Sequence, residues 1–415
     1  MPRTTSKLTW WGRPGLEVRA GRLSIAGRDA ESIAREHGTP VYVHDLVRVR
    51  EQARALQGAL EGAGLRQRVR LALKAQREPA VLAVLRSLGD PGTPESVGMD
   101  VCSPGEIRWA FDHGWEPSEI SYTGTNLSAT DLDAVVEAGV HLNVDLLTQL
   151  ERVGTRAPGS AVGIRINPRI GAAYPGGGQT YAGDRPTKFG IYPEGIEEAL
   201  DIASRHDLTI DTVHVHAGYL YLTDALPTVD ETMRRVAAAA RMLIDAGCPI
   251  VEVNTGGGLG VPFRPGDRPL DLDAWAAVLA RHLGPLDVVV GTEPGEFLAK
   301  ECAIHLAEVV SVEDRDGTTF VGLDTGWNVI NEHFVYRIPF HPILCRAADA
   351  EPAGTVTVAG HINEGSDLFA EDHPMPPVRE GDIVAIPNVG SYNASMTSVH
   401  CLRPVAPSVF FTDRM

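Results

Sequence analysis

Short runs of β-branched and apolar residues recur along the chain, each closing on a polar residue or a glycine. Eight of them read as strands: Val69–Leu73, Gly98–Val101, Ile120–Tyr122, Leu142–Val144, Val162–Ile166, Thr212–Val215, Val251–Val253 and Val288–Val290. Between most of them the apolar positions fall at helical spacing, over Pro79–Leu88, Gly105–His113, Ala129–Ala138, Leu147–Val153, Pro193–His206, Thr228–Ala246 and Leu272–Leu283. Strands that alternate with amphipathic helices predict parallel βα units, because a parallel pair needs a crossover. Eight such units in roughly 230 residues have the size of a (β/α)8 TIM barrel. One connection, from Tyr174 to Pro186, is a Gly/Pro-rich loop longer than a minimal link needs, and loops of that length are often functional.

From about Glu296 the rhythm changes. His305–Val312, Thr319–Leu323, Gly354–Val358 and Asp382–Ile386 read as strands with no long helix between them, which predicts a C-terminal antiparallel β domain. Leu16–Ile25 also reads as strand and is expected to join it. The expected division is therefore 1–45, a segment belonging to the β domain, then 46–295, the barrel, then 296–415, the β domain.

A barrel of this kind places its chemistry at the C-terminal ends of its strands. Those ends carry Lys74, Cys102-Ser103, Gly124, Asp145, Arg165 and Asn167, His214 and His216, Gly256–Gly258 and Glu293. Lys74 closes an apolar strand; a lysine desolvated there has a depressed pKa and forms Schiff bases, although an isolated strand-end lysine more commonly snorkels to water. Consecutive glycines let backbone N–H groups close on an anion, or simply make a tight turn. Glu293 could stabilise a protonated pyridine nitrogen, or be a solvated strand-end acid. His214 and His216, two apart on a strand, share one face. A metal pair is the rival reading, but no later strand end supplies a further histidine, and an imidazole stacked on a cofactor ring suits the other residues better.

Composition narrows the classes. Hydrophobic residues at 43% and charged residues at 22% are ordinary for a folded chain. A formal charge of −17 argues against general binding to nucleic acid or anionic membranes. No apolar run is long enough for a membrane span, and the first residues show no signal-peptide core. Five scattered cysteines without a CxxC pair suggest neither a disulfide framework nor a zinc ribbon, so a reducing cytoplasm is the expected setting. Only four residues carry a lysine amine: Lys7, Lys74, Lys188 and Lys300. Of these, Lys74 alone ends the first strand inside an apolar run.

The stretches Ala72–Ala75, Asp100–Glu106, Arg165–Pro168, Lys188–Ile191, His214–Gly218, Gly256–Gly258, Glu293–Gly295, Asp324–Gly326, Gly360–Asp367, Gly381-Asp382 and Gly390–Tyr392, in that order, are a specific set. On them the chain resembles the fold-type III pyridoxal-phosphate decarboxylases, the alanine racemase-like group that includes diaminopimelate and ornithine decarboxylases. The resemblance implies a barrel plus β domain, pyridoxal 5'-phosphate as cofactor, an amino-acid substrate and a homodimer with shared active sites. It implies that Lys74 holds the cofactor as a Schiff base, Glu293 pairs with the ring nitrogen and His216 stacks on the ring. Gly256, Gly257, Gly258 and Gly295 would cradle the phosphate, and Tyr392 would reach a phosphate from the other subunit. Asp100, Glu106 and Arg165 would lie near the ring, and Lys188 would be structural.

Departures from the family pattern bear on the substrate. The catalytic cysteine of the family aligns with Asn363, a poor proton donor, so the α-carbon proton is expected from His361, Lys74 or water. Tyr219 replaces a serine near the phosphate. Arginines that match a distal carboxylate are replaced by Glu296 and Glu332, while Tyr336 is retained. These charge reversals predict that meso-diaminopimelate is not the substrate. Glu296, Glu332, Glu364 and Asp367 instead suggest a distal cationic group, unless they pair with neighbouring arginines such as Arg337. The leading expectation is a decarboxylase of a basic or unusual amino acid. A racemase or epimerase, a non-catalytic cofactor-binding protein and, remotely, a metal-dependent hydrolase are the alternatives.

Overall fold

The computed structural model describes residues 10–176 and 181–415. Lys7 and residues 177–180 of the glycine-rich loop lie outside the described residues. The chain divides into two compact units. One comprises residues 52–261 and 268–298; the other comprises 1–51, 262–267 and 299–415.

The first unit is a closed barrel of eight parallel strands: β1 (Gln67–Ala72), β2 (Val97–Val101), β3 (Ile120–Tyr122), β4 (His141–Val144), β5 (Ala161–Arg165), β6 (Thr209–His214), β7 (Glu252–Asn254) and β8 (Val289–Thr292). Each pairs with the next, and β8 closes on β1 with Thr292 beside Val69. The helices start where the sequence gives them caps. Ser103 accepts the N–H of Glu106 at the head of Pro104–Asp112, and Ser128 forms a capping box with Asp131 ahead of Ala129–Ala138. The expected helix Pro193–His206 is a 3-10 turn, Pro193–Gly195, followed by the α-helix Ile196–Arg205.

Inside the barrel the filling is partly ionic. Arg70 on β1 and Glu252 on β7 form a buried pair at 2.6 Å, and Arg68 adds a second contact to Glu252 at 2.7 Å. Burial alone would raise the Glu252 pKa, but the guanidiniums of Arg70 and Arg68 hold it below the usual carboxylate value. Gly291 on β8 makes the room, since a Cβ there would lie 2.3 Å from Glu252 Oε1.

The second unit is built on the long strand β9 (Ala303–Arg315), with β10 (Thr318–Leu323), β11 (Gly354–Ala359), β12 (Leu368–Met375) and β13 (Ile383–Pro387). Pairing is antiparallel except between β10 and β11 and between Val41–Asp45 and Ser408–Phe411. Residues 16–25 do not join this sheet as one strand. A turn at Ala20-Gly21, both at positive φ, folds them into a hairpin that forms a separate three-stranded sheet with Arg28–Asp29. The N-terminal segment that does join is Val41–Asp45, which pairs with β9. Trp11, Leu16, Ile33, Val43, Ile304 and Ile383 share one core here.

Three histidines of this unit are held in the neutral form, His44 and His305 fully buried and His341 half-buried. Burial pushes His44 and His305 down to about 3, and His341 to about 4. An unfolded histidine takes up its proton near 6.5, so the unfolded chain binds more protons below that value. Stability is therefore full above about pH 6.5 and falls as the pH drops toward 4, by about 1.4 kcal/mol per pH unit for each fully buried group. Urea unfolding at pH 7 and pH 5 should show a lower midpoint at pH 5, with a smaller difference in His305→Gln. Equal midpoints in the parent would show that these residues do not govern its acid sensitivity.

Candidate active site at the barrel mouth

β1 ends at Ala72, and Lys74 follows at the rim with its side chain 44% exposed. Its Nζ lies 3.1 Å from Asp100 Oδ2 on β2. Asp100 is buried, and its pKa is pushed up to about 7, first by burial and next by the negative charge of Glu293, with Lys74 pulling the other way. Behind it Glu106 accepts the N–H of Cys102 at 2.7 Å, which fixes the turn into the following helix.

Glu293 follows β8 and is 5% exposed. Three donors from three other strands converge on it. Ser121 Oγ and Asn254 Nδ2 donate to Oε1 at 3.0 and 2.6 Å, and His214 Nε2 lies 3.0 Å from Oε2. Burial alone would raise its pKa, but His214, Arg70 and the Asn254 amide outweigh that and hold it below the usual carboxylate value. The result is a desolvated yet ionised carboxylate at the mouth.

His216 is half-buried and neutral. Burial lowers its pKa well below 6.5, and the positive charges of Arg165 and Lys74 lower it further. Its Nδ1 accepts the N–H of Gly257 at 3.2 Å, which places the ring hydrogen on Nε2. Tyr181 meets the ring edge-on at 4.4 Å. Arg165, at the end of β5, bonds Asp145 at 3.1 Å and lies 4.5 Å over the Phe189 ring.

The glycine turn is required by packing. A Cβ on Gly256, Gly257 or Gly258 would stand 2.4, 2.5 or 2.6 Å from a backbone oxygen. Not every amide of the turn is open to an anion. Gly256 N–H goes to Asn254 Oδ1 and Gly257 N–H to His216 Nδ1, so of the three only the Gly258 amide has no partner among the described residues. Gly295 directly precedes the short helix Glu296–Ala299, and Glu296 is 8% exposed.

The remaining expected residues lie in the β unit. Glu332 is fully buried and bonds the equally buried Lys300, whose Nζ also donates to Ser391 O at 2.8 Å. Asp367 accepts the N–H groups of Trp327 and Ile362 at 2.9 and 2.7 Å, bracing its loop. Both were expected to face substrate, and the structure commits both to internal bonds. The partner found for Glu332 is Lys300, where Arg337 was the expected alternative. His361 is half-buried, while Asn363 and Glu364 are exposed, Glu364 lying 3.3 Å from His400. Tyr336 and Tyr392 meet edge-on at 6.1 Å.

Reading the sequence missed the groups that set the charge state: His214 as partner of Glu293, with Asn254, Ser121 and Arg70. The alternation of His214 and His216 was the available signal, but the two imidazoles have different partners rather than one shared ligand. The mouth fits pyridoxal phosphate: an amine, an ionised buried carboxylate and a flat neutral imidazole surround a glycine turn with no room for side chains. Asp100 Oδ1 and Asp145 Oδ2 are buried there without a partner among the described residues.

Comparison with known proteins agrees with this chemistry. The family profile described as pyridoxal-dependent decarboxylase, pyridoxal binding domain, matches residues 46–300. The chain is 33% identical over 400 residues to the diaminopimelate decarboxylase of Methanothermobacter thermautotrophicus, covering 94% of this chain and 91% of that protein. Identity to the Streptomyces coelicolor enzyme of the same name is 31%, covering 93% and 87%. Among solved structures, diaminopimelate decarboxylase from Helicobacter pylori complexed with L-lysine superposes with a TM-score of 0.82 at 27% identity, covering 92% of this chain and 93% of that one. The chain therefore belongs to the pyridoxal-dependent decarboxylases, as a pyridoxal-phosphate-dependent carboxy-lyase of alanine racemase-like fold.

Proposed function

We propose that the protein decarboxylates an amino acid with no distal carboxylate, basic or otherwise modified, in preference to meso-diaminopimelate. The observation that carries this reading is the Lys300–Glu332 pair. Where the family resemblance expects an arginine, this chain has a glutamate whose charge is already neutralised. Position 332 thus lacks a clamp for a distal carboxylate rather than repelling one. A hydrogen bond to a charged group contributes about 1.5–3 kcal/mol, so losing an arginine–carboxylate bond costs about one to two orders of magnitude in kcat/KM. Exposed Glu364 is better placed for contact with a distal cation than the buried Glu332 and Asp367.

Bound pyridoxal phosphate supplies the electron sink for the pair left when carbon dioxide departs. The chain's residues prepare that sink. Lys74 provides the amine that holds and releases the cofactor. Glu293, kept ionised by His214, Arg70 and Asn254, would hold a proton on the ring nitrogen. Neutral His216 would give the ring a flat face, and the Gly258 amide and the turn after Glu293 would hold the phosphate. Asp100, beside Lys74, holds or releases a proton near neutrality. Asn363 leaves proton delivery to the α-carbon to His361, Lys74 or water.

A homodimer belongs to the same reading. Residues 399–405 are all exposed, with Val399 at 67%, Leu402 at 91% and Val405 at 58%. An apolar loop of this kind suits a second copy, as does Tyr392 acting across a shared site.

Three outcomes are expected. Borohydride should fix the cofactor to the parent and to Lys188→Ala, but not to Lys74→Ala, whose turnover falls by at least about 10²-fold. A fixed linkage in Lys74→Ala would place the cofactor on another lysine. In a panel of L- and D-amino acids, a basic or modified member should exceed meso-diaminopimelate in kcat/KM by about tenfold or more, with release of carbon dioxide. Equal or better turnover of meso-diaminopimelate would overturn the substrate reading, and loss of optical rotation without carbon dioxide would favour a racemase. Light scattering should give a dimer that Leu402→Asp weakens; an unchanged mass would remove that loop from the interface.

A further inference from the structure

At the other end of the barrel, where the strands begin, lies a cavity of about 450 Å3. That volume is in the range of small-molecule sites. One wall is charged. Arg68 and Arg70 share the single carboxylate of Glu252, which leaves one positive charge in excess. Arg68 commits Nη1 to Glu252, and its side chain is 51% exposed, so it can still meet a ligand. Another wall carries Asp211, whose Oδ1 is held by His141 at 2.8 Å and by Thr212 at 3.0 Å.

The rest of the lining is apolar, and two of its members are exposed. Val136, on the helix Ala129–Ala138, is 36% exposed, and Val251, just before β7, is 58% exposed. Val140 and Leu142 line the cavity deeper in. Singly exposed valines need no explanation, and paired arginines can be mere barrel filling. Their convergence on one cavity is what neither reading accounts for.

We propose that this cavity binds an α-amino acid with an apolar side chain, its carboxylate on Arg68, its ammonium on Asp211 and its side chain against the valines. Each half of the zwitterion finds its counter-charge, and the apolar remainder covers Val136 and Val251. The site is separate from the strand-end residues of the barrel mouth. It is joined to them through the charged chain Arg68, Glu252 and Arg70, whose positive charge also acts on Glu293.

The test is calorimetric titration of the cofactor-loaded protein after borohydride reduction, so that the cofactor no longer exchanges with amines. The probes are L-leucine, hexanoate and hexylamine. L-leucine should bind saturably, and tighter than either half-ligand by about tenfold or more. Val251→Asp changes a side chain that is 58% exposed and outside the Glu252 pairs, so its thermal unfolding should match the parent, and L-leucine binding should be lost in it and in Arg68→Ala. No saturable binding, or binding kept in both variants, overturns the site. Hexanoate binding as tightly as L-leucine overturns the amino-acid assignment. The outcome is independent of which substrate the enzyme decarboxylates.

Discussion

The active end of this barrel depends on keeping one buried carboxylate ionised. Glu293 is 5% exposed, and in that setting an isolated acid would take up a proton and lose its use. The charges of His214 and Arg70 and the hydrogen bonds from His214 on β6 and Asn254 on β7 prevent it, with Ser121 on β3 as a third donor. Each donor is on a different strand, so the carboxylate keeps its charge only while the barrel is closed in this register. The same negative charge then raises the Asp100 pKa to about 7 after burial has already raised it, and Asp100 in turn faces Lys74. One carboxylate thereby sets the ionisation of the groups around it.

The ionic filling below serves the same end. Arg70 is fully enclosed, and its positive charge acts on Glu293 as well as on Glu252. An apolar residue at position 70 would pack the barrel but withdraw that charge. Removing one partner of a buried ion pair costs about 3–5 kcal/mol because the other charge is left uncompensated. Gly291 and Gly163 are part of this arrangement, since a Cβ on them would stand 2.3 Å from Glu252 and 2.1 Å from Asn143. The polar interior is therefore packed as tightly as an apolar one.

How much of this the sequence disclosed follows from the range of the interactions. The barrel strands were legible because strands buried on both faces read as short apolar runs. Lys74, His216 and Glu293 were legible because they follow those runs. Val41–Asp45 and the helix Leu46–Gly62 after it were missed. VYVHD ends in two polar residues that are nevertheless buried, a consequence of pairing with β9 from far along the chain. The partners of Glu293 lie 39, 79 and 172 residues away, and no local pattern can announce them. The glycine turn shows the same limit: three glycines suggest three free amides, but two are taken by Asn254 and His216.

Lys300 and Glu332 show how a charge read from sequence changes meaning in three dimensions. Alone, Glu332 in place of an arginine says that an anionic substrate group is repelled. With Lys300 at its side and no solvent exposure on either, the pair presents no net charge. A buried pair of this kind is weak evidence for stability, because desolvation offsets most of its attraction. It is stronger evidence about what the position no longer does. The carbonyl of Ser391 holds the lysine and the amide of Asn393 approaches the glutamate, so both ends are fixed by the loop that carries Tyr392. Neither charge can turn toward a ligand without leaving the other buried alone. On the proposed reading, specificity for the distal end of the substrate comes from other groups, and an electrically silent position 332 restricts that choice more firmly than a repulsive one would.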